Sequence, residues 1–110
     1  GAFIVYLGTN PENLDYAQKR MKEEVFRLKK EFVGSKELQD AKDKLLGHYI
    51  IGQETNLDKA MTLGWFEASN RGYQFDEQYK NLINSVTESD IIDVANKYFN
   101  DNFVLSIVKP

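Results

Sequence analysis

Cysteine is absent from this 110-residue chain, and histidine, proline and tryptophan are scarce. Without cysteine the chain can form no disulfide, no thiolate metal site and no cysteine nucleophile. His48 is the only histidine, whereas a zinc site needs about three protein ligands. The carboxylates nearest to it in sequence, Asp43 and Glu54, do not share its helical face. His48 is therefore expected to be a surface or packed helical residue, not a zinc ligand or general base.

Long apolar runs are also absent, because no stretch approaches the roughly 18 residues needed to cross a membrane. The chain has 14 basic and 17 acidic residues, and the resulting net charge of −3 argues against a nucleic-acid partner. It contains no H-x-x-E-H or H-E-x-x-H zinc motif and no phosphate-binding glycine loop. We therefore assign no catalytic, cofactor-binding or metal-binding residue to this chain.

The chain does have the size and composition of one small globular domain. A hydrophobic content of 42% is too high for a disordered segment. No linker, repeat or low-complexity stretch divides residues 1–110, so we expect no internal domain boundary. The chain opens on the apolar segment "GAFIVYLG" without an initiator Met. This opening indicates a fragment of a larger protein.

Hydrophobic spacing predicts the order strand, five helices, strand, which is an α+β fold. Residues 2–8 are apolar on both faces, as in a strand buried on both sides, and residues 103–108 alternate. The predicted helices run from Pro11 to about Phe32, from Ser35 to about Gly52, and from Thr55 to near Arg71–Gly72, followed by two that begin near Asp76 and Thr87. Because two strands form only a marginal sheet, further strands are expected beside them.

Two stretches have the spacing of capping boxes. Thr87 and Asp90 can exchange hydrogen bonds with each other's backbone at the start of the last helix, and Thr55 and Asp58 match the same pattern. The acidic stretch "VTESDIIDVANKYF" is thus explained as a helix start, since no further metal ligands lie near it in sequence.

The basic residues of "QKRMKEEVFRLKK" alternate with glutamates four positions away, which is typical of a solvated helix face. The aromatic stretch "GWFEASNRGYQF" is harder to assign. Trp65, Phe66, Tyr73 and Phe75 either pack against another part of a larger protein or form a contact surface for a peptide or partner chain. The first interpretation is favoured, because the chain already has the pattern of a fragment.

Three stretches in order, "GAFIVYLGTNPEN", "GSKELQDAKDKLLG" and "VTESDIIDVANKYF…VLSIVKP", give the chain a family resemblance. Together they resemble the C-terminal part of a homologous half of the insulinase, pitrilysin and mitochondrial processing peptidase family of zinc metallopeptidases. The resemblance implies a mixed sheet covered by helices, in a half that closes with its partner half around a peptide chamber. It also implies zinc in the catalytic half of the parent, where the Glu of an inverted H-x-x-E-H motif activates a zinc-bound water.

No functional residue of that family maps onto this chain. The zinc motif and the distal Glu ligand are missing, and the family's substrate-contacting Arg and Tyr would precede Gly1, so Arg71 and Tyr73 do not correspond to them. The resemblance thus implies a non-catalytic segment that helps to form the chamber wall, with the rest of its half and a peptide substrate as partners. Two alternatives stay open: a catalytically inactive relative that acts as a scaffold, and an independent helical binding module. With its predicted strands unpaired, the isolated chain is expected to self-associate.

Overall fold

The computed structural model describes residues 2–108, in which the regular elements are helices. A 3₁₀ turn, Pro11–Asn13, leads directly into α1, Leu14–Arg27. Four further helices follow: α2 (Ser35–Ile51), α3 (Asn56–Ala68), α4 (Phe75–Ser85) and α5 (Glu88–Tyr98). Among residues 2–108, no helix combines the length and the apolar character that a bilayer span requires.

The predicted α+β fold is wrong, because no strand forms in the described part of the chain. Residues 2–8 and 103–108 both lack regular secondary structure, and their apolar side chains are exposed, Ile4 by 85% and Val104 by 96%. A strand forms only when its backbone groups pair with a neighbouring strand. Apolar and β-branched composition favours such pairing but cannot supply the neighbour. The expected mixed sheet is therefore not found, and the described chain is all-helical.

The first helix is shorter than its apolar spacing predicts. It ends at Arg27 rather than near Phe32, and the backbone then turns, with Lys30 N–H donating to the Arg27 carbonyl at 3.0 Å. Gly34 has an extended backbone, with φ −61° and ψ 145°, and precedes the first residue of α2. Gly34 is thus the N-cap residue of the second helix.

The capping prediction for α3 is confirmed. The Asp58 N–H donates to Thr55 Oγ1 at 3.1 Å, and the Thr55 N–H donates to Asp58 Oδ2 at 3.2 Å. At α5 the helix begins at Glu88, so Thr87 directly precedes it, while the exchange of hydrogen bonds between Thr87 and Asp90 stays a prediction. The helix predicted to begin near Asp76 begins at Phe75.

The chain divides into two compact units, of which the first combines residues 2–32 with residues 89–108. In this unit Ala95 is nearly fully buried, and Phe3 packs against the rings of Tyr98 and Phe99 at centroid distances of 5.6 and 5.2 Å. The end of α1 is tied to the end of α5, because Lys29 Nζ donates to the Phe99 carbonyl at 2.8 Å. On α1, the expected salt-bridged face is present, with Arg20 bound to both Glu23 and Glu24.

The second unit, residues 33–88, contains α2, α3 and α4. Phe66 and Val33 are its buried apolar residues, exposed by 9% and 7%. The last turn of α4 is linked to α2 by Lys42 Nζ, which donates to the Asn84 carbonyl at 2.8 Å. The expectation of a single domain over residues 1–110 stays a prediction, and three of its residues, Gly1, Lys109 and Pro110, lie outside the described residues.

Candidate functional site

An open apolar groove lies within the second unit. It has a volume of about 640 Å³, which is within the usual range for ligand and peptide pockets. Its lining comes from α3, from the turn after α3, from α4 and from the residue that follows α4: Trp65, Phe66, Ser69, Arg71, Phe75, Tyr79, Leu82, Ile83 and Val86. Seven of these nine side chains are apolar or aromatic, so the groove favours an apolar occupant.

Aromatic packing forms the inner wall of the groove. The ring of Phe66 meets that of Phe75 edge to face at a centroid distance of 4.9 Å, and Phe75 is 6.4 Å from Tyr79 in the same manner. Such edge-to-face contacts are favourable arrangements of aromatic rings. The side chain of Trp65 points in a different direction from that of Phe66, because neighbouring helical residues point about 100° apart. It is 72% exposed. The groove therefore has a packed wall and an exposed aromatic edge.

The turn after α3 places Arg71 on the groove in a defined position. Asn70 adopts a left-handed conformation with φ 61°, its N–H donates to the Glu67 carbonyl, and the Arg71 N–H donates to the Phe66 carbonyl, both at 3.0 Å. This pair of hydrogen bonds is the Schellman motif that ends many helices. Gly72, also left-handed with φ 79°, completes the turn. In the sequence, Asn70 is the signal for this helix end, because Asn is tolerated in the left-handed conformation. The prediction placed the helix end near Arg71–Gly72 instead.

The guanidinium of Arg71 lies against the aromatic wall. Its Cζ atom is 4.8 Å from the centroid of the Phe75 ring, a cation–π distance. The neighbouring carboxylate of Glu67 accepts a hydrogen bond from the Tyr73 N–H at 3.0 Å. Arg71 is the only charged residue in the groove lining.

A polar cluster joins α2 to the start of α4. The hydroxyl of Tyr49 donates to Asp76 Oδ1, and Gln53 Nε2 donates to the same oxygen at 3.2 Å. The ring of Tyr49 stacks on that of Tyr79, with centroids 4.0 Å apart. Burial and the hydrogen bond to Asp76 raise the pKa of Tyr49 to about 12, because both disfavour the phenolate. Asp76 is thus an acceptor that fixes two helices, a role that sequence spacing did not reveal.

The structure places His48 in the last turn of α2, where it is exposed. In the part of the chain that the structure describes, no three histidine, cysteine, aspartate or glutamate side chains come together in a way that could hold a metal ion. Residues 2–108 therefore do not fit a zinc centre.

The predicted aromatic stretch contributes only in part to the groove. Trp65, Phe66 and Phe75 line it, while Tyr73 does not and is 55% exposed. The remaining wall comes from Tyr79, Leu82 and Ile83 of α4 and from Val86, which follows that helix. Helical periodicity identifies such a face, whereas its partner follows from tertiary packing.

Comparison with known proteins gives matches that cover the whole of this chain, and the matched proteins are named as zinc proteases. The chain is 28% identical over all 110 residues to an uncharacterized zinc protease of Rickettsia felis and covers 26% of that protein. It is 23% identical to the uncharacterized zinc protease YmxG of Bacillus subtilis, covering 27%, and 24% identical to an uncharacterized zinc protease of Rickettsia bellii, covering 26%. The chain thus spans about a quarter of the length of the curated relatives it matches. No protein-family model and no solved structure matches it.

Proposed function

We propose that this chain acts as a non-catalytic segment of a longer protein similar to zinc proteases. The observation that carries the proposal is the share of each relative that this chain covers. All 110 residues match about a quarter of each relative, so the chain corresponds to a segment of these proteins. The described part of this chain contains no group of side chains that could hold a metal ion, and we place any zinc site of the longer protein outside this segment.

The distribution of apolar side chains supports a segment that packs against other protein surface. Large apolar side chains on α2 and α3 are exposed, including Ile50, Ile51, Leu57 and Met61, each by more than 60%. Exposed apolar surface of this kind is typical of an interface. Among residues 2–108, by contrast, buried apolar residues are few: Ala17, Val33, Phe66 and Ala95.

Within that longer protein, the segment forms part of the wall of a peptide chamber of the insulinase and processing-peptidase type. Zinc and the catalytic Glu belong to another part of the polypeptide, and this segment contributes shape and apolar contact. The resemblance of the three ordered stretches supports this finer assignment, and the zinc-protease names of the relatives agree with it.

The test compares the 110-residue chain with the complete product of its reading frame. Both are dialysed, analysed for zinc and incubated with a mixture of unstructured peptides whose cleavage is followed by mass spectrometry. We expect zinc and cleavage in the complete product and neither in the chain alone. Stoichiometric zinc and cleavage by the chain alone, both lost in His48→Ala, would contradict a non-catalytic role. A complete product without zinc or cleavage would support the inactive scaffold instead.

A further inference from the structure

We propose that the groove is a docking site for a peptide that presents a large apolar side chain next to a carboxylate. This proposal concerns the second unit alone and does not depend on the proposed function. The groove is lined by apolar and aromatic side chains, with Ser69 and Arg71 as the polar exceptions besides the Tyr79 hydroxyl. Pockets of this composition bind by apolar contact and select by their few polar groups.

Charge complementarity identifies the chemistry of the occupant. The groove has one cation and no acidic lining residue. Among the described residues, Arg71 forms no ion pair with a carboxylate. Two carboxylates close to Arg71 in sequence have other partners: Glu67 accepts from the Tyr73 N–H, and Asp76 accepts from Tyr49 and Gln53. A ligand carboxylate would therefore find an unshared guanidinium beside an apolar surface.

The position of Arg71 also bears on how far apart the apolar side chain and the carboxylate of the peptide lie. Because its guanidinium lies 4.8 Å from the Phe75 ring centroid, an anion bound there is close to the aromatic wall. A peptide that covers this wall with an apolar side chain can therefore reach Arg71 with a carboxylate on an adjacent residue. Trp65, which is 72% exposed on the groove, offers the kind of side chain that commonly dominates binding energy at peptide interfaces.

Trp65 provides a direct measurement, since it is the single tryptophan of the chain and lines the groove. The probes are acetyl-Gly-Leu-Glu-Leu-Gly-amide and its counterpart with Gln in place of Glu, neither of which contains tryptophan. Each is titrated to about 1 mM, the weak end of specific affinities, while tryptophan emission is recorded. We expect a saturable blue shift with both peptides and about two- to fivefold tighter binding of the Glu peptide, as for a partly exposed ion pair.

Arg71→Gln tests the assigned charge, and Lys59→Gln is the matched control. Lys59 is an exposed residue of α3 outside the groove lining, so its substitution removes the same charge without touching the groove. The preference for the Glu peptide should disappear in Arg71→Gln and persist in Lys59→Gln. If Arg71→Gln does not fold, the salt dependence of peptide binding to the unaltered chain is measured instead. The preference must then fall as salt is raised from about 20 to about 300 mM, which shortens the Debye length to below 10 Å.

Several outcomes would overturn the proposal. These are the lack of a saturable shift, equal affinity for the two peptides, a Glu preference that survives Arg71→Gln, and a preference that does not respond to salt. An emission shift that depends on the concentration of the chain alone, together with a dimer in size-exclusion light scattering, would instead assign the groove to a second copy.

Discussion

Tyr49→Phe is the substitution that tests the polar cluster between α2 and α4 most directly. It removes the hydroxyl that donates to Asp76 and retains the ring that stacks on Tyr79 at 4.0 Å. The Asp76 carboxylate keeps a second donor, because Gln53 Nε2 lies 3.2 Å from the same oxygen. The substitution therefore deletes one hydrogen bond without leaving a charge unpaired.

The expected loss of unfolding free energy at pH 7 is about 1 kcal/mol. A hydrogen bond to a charged group contributes about 1.5–3 kcal/mol, and the expected loss falls below this range because the remaining donor limits the penalty. Tyr49 is also only half-buried, so solvent screens part of the interaction.

The pH dependence provides a second, independent signature. The pKa of Tyr49 is raised to about 12 from the ordinary value of 10.0, so the folded state favours the neutral phenol. A raised pKa contributes stability that is fully present below the unfolded value and is lost as the pH rises through the folded value. The stability difference between the unaltered chain and Tyr49→Phe should therefore be constant below about pH 10 and decrease between about pH 10 and 12.

Urea unfolding followed by circular dichroism measures both effects from the midpoint and slope at each pH. Tyr6→Phe is the control, because its side chain is 90% exposed and its substitution should leave the midpoint unchanged. Equal midpoints for the unaltered chain and Tyr49→Phe at pH 7 would refute the hydrogen bond as a stabilising contact. A difference that persists undiminished to about pH 12 would refute the link to the ionisation of Tyr49.

Three further predictions concern the capping box, the aromatic wall and the single histidine. Thr55→Ala should lower the unfolding free energy by about 1 kcal/mol in urea titrations, whereas Thr55→Ser should retain most of it, because the hydroxyl still accepts from the Asp58 N–H. Phe66→Ala should cost about 3 kcal/mol or more in the same assay, since it leaves a cavity beside Phe75, and an unchanged midpoint would contradict the packed wall. After dialysis, metal analysis should find less than one zinc per chain, and His48→Ala should not change that content.

Local sequence signals were sufficient for most of the helical architecture. Within residues 2–108, the structure confirms the number and order of the five helices predicted from apolar residues spaced three and four apart. The Thr55–Asp58 capping box was predicted correctly because both partners lie within one turn and the hydrogen bonds need no distant residue. Where Asn70 ends α3, the signal was also local, although the predicted boundary was a few residues too late.

The two terminal strands show where local signals fail. Residues 2–8 and 103–108 have the composition of strands, yet neither forms one in the described chain. Strand formation depends on a hydrogen-bonding neighbour that can be anywhere in a sequence, so composition predicts the preference and not the pairing. Asp76 illustrates the same limit for a side chain, since its partners lie 27 and 23 residues away in sequence, Tyr49 in the last turns of α2 and Gln53 just after that helix.

The sequence by itself indicated five amphipathic helices, although it also predicted two strands that the described chain does not form. It further determined that the chain has no inverted zinc motif and that its ordered stretches resemble a metallopeptidase segment. Only the tertiary structure decided that Phe66, Phe75 and Tyr79 form one wall and that Arg71 lies against it. Helical periodicity depends on residues within a few positions of one another, so a sequence displays it directly. Contacts between helices depend on how separate segments pack, and packing is settled only when the chain folds.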